Sequence, residues 1–410
     1  MSIREHHIRK ALRLAPSALI FLSGVGSLYI ADVLITRHGT TEAIANWAVL
    51  KSFMMIVGTL SMFGINSLIF REPSAISMLL RVGIAQVSVV ALIAGIAAVH
   101  LGWVPSLLVG IVAVAGFAFT NMAFQWLRTE LRLTEGYVVS SLWRVLFLGG
   151  IVALFVPGLA EAGTILLASF LVGGILVLAL LLRPAPAAEK ARHHQDIRSI
   201  KDVYMVGGSL LLMQLSQAVS AYGENLIVYQ LGSAADVEMY YKGLVVYLFP
   251  SVIFNQYLVA VLGPLVRDNE EKVNGLIRRY AWIAGIALVA VAWPTLIFGG
   301  LILERLFFEG SSTPLVLAAL FALTGCVRLY YVLPSSYVGI LAKRRQLFFA
   351  SIGYMASALM LPLLSLGIFT LGFDVVVAVA LASLFNWAFR SLIGTNTIWV
   401  RMRRQSMDSH

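Results

Sequence analysis

The chain has 410 residues, of which 60% are hydrophobic and only 12% charged, and its mean hydropathy is +0.88. A soluble domain carries about 25% charged residues, so this composition leaves too little polar surface to coat a particle in water and excludes a soluble enzyme, a disordered chain or a disulfide scaffold. The net charge is +10, from 30 Lys and Arg against 20 Asp and Glu, and its placement along so apolar a chain therefore becomes the question.

A membrane-spanning helix needs about 20 apolar residues, because the hydrocarbon layer is about 30 Å thick and a helix rises about 1.5 Å per residue. Spanning strands would alternate with period two, and the runs here are too continuous for that. Twelve runs qualify, near 14–35, 44–70, 75–99, 103–125, 137–157, 161–182, 204–229, 239–265, 279–302, 313–336, 347–371 and 374–397. The first follows Arg4, Arg9, Lys10 and Arg13 and is expected to be a retained helix rather than a signal peptide, with the residues before Pro16 lying on the membrane surface.

The longest polar stretch, Arg183 to Asp202, carries Pro184, Pro186 and the basic run from Lys190 through His193 and His194. It lies near the middle of the chain. The expected organisation is an N-terminal six-helix bundle over 1–182, a basic cytoplasmic linker over 183–203 and a C-terminal six-helix bundle over 204–410. His193 and His194 are read as part of a solvated linker rather than as metal ligands.

Loop charges set the orientation. Among loop residues on the side away from the N-terminus only Arg37, Lys242 and Arg305 are basic, while Lys51, Arg328 and Arg390 fall within spans. The remaining Lys and Arg collect on the N-terminal side, with Arg81 and Arg144 at or just inside its helix ends. Such an asymmetry predicts that both termini face the cytoplasm. It also accounts for the basic character without nucleic acid. Cys326 is the only cysteine, so no intrachain disulfide forms.

The chain repeats itself. Gly39, Thr40, Ile44 and Trp47, after the first span, match Gly232, Ser233, Val237 and Tyr240, after the seventh, at a constant offset of 193. The helices these loops open end in Arg71-Glu72 and Arg267-Asp268. Duplication of a six-helix unit keeps both copies in the same orientation, the arrangement from which rocking transporters are built.

The two Gly-containing loops leading to an aromatic, the Phe63 to Glu72 segment at the end of the second helix, and Leu306-Phe307-Phe308-Glu309-Gly310 after the ninth resemble polysaccharide flippases of the MATE-like MOP superfamily. The resemblance extends over the layout of the whole chain. It implies an all-α membrane protein of about twelve helices in two pseudo-symmetric bundles, located in a bacterial inner membrane. It further implies a transporter, not an enzyme, that flips an undecaprenyl-pyrophosphate-linked oligosaccharide to the outer leaflet by alternating access, for surface or exopolysaccharide such as O-antigen. Membrane lipids, a polysaccharide polymerase and other assembly proteins are the expected partners. No cofactor is expected.

Charges within spans are costly, by about 2.5–3.5 kcal/mol each on insertion scales, and mark function or pairing. Asp32, Lys51, Arg81, Arg144, Glu224, Arg328 and Arg390 are the candidates. Five cations against two acids favour an anionic cargo, because Arg forks and Lys point charges attract pyrophosphate. Substrate binding is therefore expected at Lys51, Arg81, Arg144, Arg328 and Arg390, with Gln214 and Gln217 on the polar face of the seventh helix. Asp32 and Glu224 sit near the outer ends of the first and seventh helices. They are expected either to couple transport to H+ or Na+, since a carboxylate in a low-dielectric surrounding readily takes a proton, or to pair with nearby cations. Ser220, Asn225, Asn255, Asn121 and Asn386 extend the polar inventory, whereas Trp47, Trp103, Tyr240 and Tyr241 read as an interfacial belt.

No phosphate-binding G-x-x-x-x-G-K-[ST] loop, H-E-x-x-H or nucleophile elbow occurs. Three other readings stay open at this stage: an ion-coupled exporter of drugs or other small molecules, a membrane enzyme of polysaccharide assembly, and a non-transporting scaffold.

Overall fold

The structure is a computed structural model that describes the chain apart from residues 1–2, 72–74, 131, 155–161, 182–199, 256–257, 259–273, 276, 278–282, 284, 309–312, 343 and 409–410. The described residues are helical, with no strand. In the first part of the chain the helices are α1 (Ile3–His38), α2 (Thr41–Met62), the short α3 (Ile65–Arg71), α4 (Ile76–His100), α5 (Leu107–Thr129), α6 (Leu133–Leu154) and α7 (Ala162–Leu181). Then follow α8 (Ile200–Leu231), α9 (Ala234–Gly243), α10 (Trp293–Phe307), α11 (Leu315–Leu341), α12 (Arg344–Thr370) and α13 (Val375–Asp408). Among the described residues eleven helices are long and apolar enough to cross a membrane, and α7 stands where the sixth span is expected. The chain is a multi-pass membrane protein of all-α class. The expected linker, including His193 and His194, lies almost wholly outside the described residues.

Two compact units emerge. The first comprises Met1–Ile35 and Val49–Leu211, the second Thr36–Ala48 and Leu212–His410. These limits follow packing and differ from the division at the polar stretch that the sequence suggests. Helices α1, α2 and α8 consequently contribute residues to both units.

In unit 1, α5 packs against α3, α4, α6 and α7. The buried positions of α4 recur every four residues, at Leu79, Gly83, Val87, Ala91 and Gly95. Small residues let the backbones close in: a Cβ on Gly110 would lie 3.2 Å from the Gly95 Cα. In a medium as apolar as leucine, such close van der Waals packing holds helices together.

In unit 2, α13 packs most extensively against α11 and α12. A π-helical turn, Leu244–Leu248, continues α9 and is buried throughout. It seats the Tyr247 ring over Gly300, whose added Cβ would meet that ring at 2.2 Å. The Tyr247 hydroxyl donates to Glu304 Oε2 at 2.8 Å, and the Thr313 backbone N–H donates to Glu304 Oε1 at 2.5 Å. Glu304 thus ties the end of α10 to the start of α11.

The repeated loops fold alike. Thr40 Oγ1 accepts from the Ala43 N–H at 3.2 Å, and Ser233 Oγ accepts from the Asp236 N–H at 3.3 Å. Each hydroxyl caps the helix that follows it. In the second copy the Asp236 carboxylate also accepts from the Ser233 N–H at 2.7 Å, completing a capping box.

The break between α2 and α3 needs Phe63 at φ 46° and Gly64 at φ 75°. Gly64 lies against the backbone of α8: a Cβ there would meet the Gly207 carbonyl oxygen at 2.5 Å. Gly64→Ala is therefore expected to destabilise the protein by about 1–3 kcal/mol, through both strain and collision. Gly208→Ala, one residue along α8 with open space around its Cβ, is expected to be neutral or stabilising. Thermal unfolding in detergent checks the contrast.

Candidate functional site

The polar centre of unit 2 is built on the Glu224 carboxylate of α8, 1% exposed. Three helices each bring it a donor. Arg328 Nη2 on α11 donates to Oε1 at 2.7 Å, Ser383 Oγ on α13 donates to the same oxygen at 2.6 Å, and the Tyr240 hydroxyl on α9 donates to Oε2 at 2.7 Å. Arg328, 4% exposed, also stands 4.5 Å over the centre of the Trp387 ring. Its backbone carbonyl accepts from Asn255 Nδ2 at 3.2 Å.

Arg390, four helical turns into α13, is fully buried. Its Nη1 donates to Ser220 Oγ at 3.3 Å and to the Tyr354 carbonyl at 3.2 Å, and its Nη2 donates to the Tyr331 hydroxyl at 3.1 Å. Three rings surround the guanidinium: Tyr354 at 4.8 Å, Tyr331 at 5.2 Å and Trp387 at 5.4 Å. Each presents a π face to the cation. Trp387 therefore contacts both guanidinium groups, and its Nε1 donates to the Ser220 carbonyl at 3.2 Å.

The hydrogen-bond shortfall of this cluster consists mainly of donors. Arg328 Nε, Arg390 Nε and Asn386 Nδ2 are buried without an acceptor among the described residues, while Asn386 Oδ1 accepts from Ser357 Oγ at 2.9 Å. Glu224 pairs with Arg328, while Arg390 is held by the neutral groups of Ser220, Tyr331 and Tyr354. The arrangement is short of negative charge and of acceptors, and an anion supplies both.

Unit 1 holds a simpler pair. Lys51 Nζ on α2 donates to Asp32 Oδ2 on α1 at 2.5 Å, with the residues 4% and 1% exposed. Arg144 on α6 lies close enough to Lys51 to act on it electrostatically, so a second cation stands near this pair.

The other residues expected from the sequence are scattered. Arg144 is half-buried, with its guanidinium 5.5 Å from the Trp143 ring centre. Arg81 is exposed, as is Gln217, and Gln214 is half-buried. Trp47, Tyr240 and Tyr241 do not form an interfacial belt: they are buried in the protein at 1%, 0% and 0% exposure. The Tyr240 hydroxyl serves an internal partner, Glu224, which a hydropathy profile does not reveal. Tyr240, Tyr331, Tyr354, Ser383 and Trp387 are the members of the site that the sequence did not single out. One signal for Tyr240 was present, its place in the repeat opposite Trp47.

A separate cavity of about 140 Å³ in unit 2 is lined by Glu238, Met239, Lys242, Glu304, Phe308 and Thr313. Its charges are already engaged, Lys242 Nζ with Glu238 at 2.6 Å and Glu304 as above. Among the described residues no group of three His, Cys, Asp or Glu is placed to hold a metal ion.

The fold is the one seen in MATE transporters and in a MATE-like flippase. The chain is similar to a structure of the lipid II flippase MurJ in an inward closed conformation, with 13% identity, a TM-score of 0.62 and coverage of 94% of this chain and 87% of that one. It is similar to the MATE multidrug transporter DinF-BH, with 19% identity, a TM-score of 0.63 and coverage of 93% and 94%. A Vibrio cholerae MATE transporter, VcmN, gives 16% identity, a TM-score of 0.55 and coverage of 96% and 97%. These neighbours are transporters and flippases, and at such identities the likeness establishes the fold. No protein-family model and no curated protein sequence matches the chain.

Breaking a buried ion pair from one side leaves an uncompensated charge. Glu224→Gln and Arg328→Gln are each expected to cost about 3–5 kcal/mol. The double replacement should cost clearly less than the sum. Unfolding of the four proteins in detergent measures the cycle; strictly additive losses would refute a coupled pair.

Proposed function

We propose that the protein is a flippase that moves an undecaprenyl-pyrophosphate-linked oligosaccharide from the cytoplasmic to the outer leaflet by alternating access, with both termini in the cytoplasm of a bacterial cell. The observation that carries this reading is the excess of buried guanidinium charge in unit 2. Arg328 has Glu224 as its carboxylate partner, Arg390 is held by neutral groups, and both keep a buried Nε without an acceptor among the described residues. A pyrophosphate carries negative charge and offers acceptor oxygens only, in the geometry that an Arg fork matches. The MATE-like fold and the flippase among its structural neighbours support the same direction.

Roles divide between the units. Arg328 and Arg390 are the phosphate contacts, and Gln214 and Gln217 on α8 are the contacts to sugar hydroxyls. Arg81 and Arg144 attract the anionic head at the cytoplasmic side. Lys51 and Asp32 neutralise each other and hold α1 to α2. Glu224 is the coupling acid for H+ or Na+.

The multidrug transporters with this fold raise a second reading, an exporter of organic cations. That cargo calls for a carboxylate with unspent charge. Asp32 and Glu224 are each ion-paired, with Lys51 and Arg328 respectively, and the spare charge is positive. The anionic cargo fits better.

In proteoliposomes, Arg390→Gln is expected to slow flipping of a lipid-linked oligosaccharide by about tenfold or more, the effect of losing a charge-assisted hydrogen bond of about 1.5 kcal/mol or more. Size-exclusion chromatography checks that the variant stays folded. Unchanged flipping in folded protein removes Arg390 from the substrate path, and no flipping by the wild type removes the flippase reading.

A further inference from the structure

The cavity of about 140 Å³ in unit 2 has no part in the roles assigned above. It lies where α9 and its π-helical continuation meet the end of α10 and the residues ahead of α11. Glu238 and Lys242 are one helical turn apart on α9 and share the face that lines it. Tyr240, midway between them in sequence, leaves the helix on the opposite side and reaches Glu224. One helix thus serves the arginine cluster with one face and the cavity with the other.

The lining is mixed in charge. Glu304 and Phe308, 8% and 7% exposed, form its buried part, and the side chains of Lys242 and Glu238, 23% and 21% exposed, its more open part. An anion entering there meets two carboxylates, and a cation meets the Lys242 ammonium. A neutral ligand that both donates and accepts hydrogen bonds meets neither repulsion, and the lining has capacity for both. An ammonium has three donors, and Lys242 gives one to Glu238 at 2.6 Å. Each carboxylate oxygen has two acceptor sites. At Glu304 the Thr313 N–H takes one on Oε1 and the Tyr247 hydroxyl one on Oε2. Met239, Val246 and Phe308 add apolar wall.

That combination matches a sugar, whose hydroxyls each donate and accept while the C–H groups of its ring face lie on apolar carbon. The size agrees. A water-sized group needs about 10–15 Å³ of such space, so 140 Å³ holds about ten of them, the extent of one hexose. We propose that this cavity is a saccharide subsite for one neutral pyranose of the cargo. It rests on the reading of that cargo as a lipid-linked oligosaccharide, and it adds a place for the sugar beyond Gln214 and Gln217 and a preference for uncharged over acidic rings. With both termini in the cytoplasm the cavity stands at the outer end of unit 2, where a flipped sugar emerges.

The test uses the purified full-length protein in lipid nanodiscs, titrated calorimetrically with undecaprenyl pyrophosphate, with the same lipid bearing glucose, and with the same lipid bearing glucuronic acid. The wild type is expected to bind the glucose-bearing lipid about tenfold tighter than the bare one, the worth of one or two net hydrogen bonds. Glucuronic acid should give no such gain. Ala235→Phe fills the cavity from an exposed position on its edge, and Lys242→Met removes the ammonium donors. Each is expected to remove most of the gain and leave the affinity for the bare lipid unchanged, with size-exclusion chromatography confirming the fold. Arg390→Gln should do the reverse, weakening the bare and the glucose-bearing lipid by the same factor.

Binding of none of the lipids by the wild type would overturn the proposed cargo, and the subsite with it. The subsite alone falls if glucose adds nothing, if glucuronic acid adds as much, if the gain persists in either Ala235→Phe or Lys242→Met, or if those variants lose the bare lipid equally.

Discussion

Everything polar in this protein answers to one constraint. Inside a bilayer no water completes a hydrogen bond, so a charge brought there must carry its own partners. The Glu224 carboxylate shows the consequence. One donor comes from the next helix, α9, and the other two from α11 and α13, 104 and 159 positions away in sequence. One acid on α8 thereby fixes how three other helices approach. The same rule makes the neighbouring shortfall informative: among the described residues, Nε of both Arg328 and Arg390 is buried without an acceptor.

The duplication gave each half an acid near the same place, and the halves then solved its neutralisation differently. In unit 1 the cation is Lys51, on the very next helix, and the pair closes locally. In unit 2 the position matching Lys51 is Leu244, part of the buried π-helical turn, and the cation arrives from α11 instead. Trp47 and Tyr240 occupy matching positions and are both buried, yet only the tyrosine has a hydroxyl to offer, and it goes to Glu224. The first pair joins adjacent helices with Arg144 nearby, whereas the second joins α8 to α11 and is completed by donors from α9 and α13.

Aromatic residues in unit 2 do more than fill space. Trp387 lies against both guanidinium groups, and Tyr331 and Tyr354 complete the box around Arg390. Ring faces steady a buried cation without neutralising it. That is what a binding charge requires: stable enough to persist in the apolar interior, still positive when an anion reaches it. A carboxylate in the place of those rings would have spent the charge on the protein itself.

The sequence by itself determined the solvent, the helices and the repeat. Hydropathy is additive along the chain, so runs of apolar residues reported the spans, and the lopsided placement of Lys and Arg reported a direction. It also singled out Asp32, Lys51, Glu224, Arg328 and Arg390, since charges in apolar runs stand out whatever surrounds them. What it left undecided was pairing. Glu224 and Arg328 are separated by 104 positions, and no local pattern says which of two acids meets which of five cations. Only the packing of α8, α9, α11 and α13 decided that Arg328 is claimed by Glu224, that Arg390 is boxed by rings, and that Tyr240 and Tyr241 turn inward rather than toward the interface. Hydrogen bonds and ion pairs act over a few ångströms in space, and that distance is set by helix contacts that the order of residues does not contain.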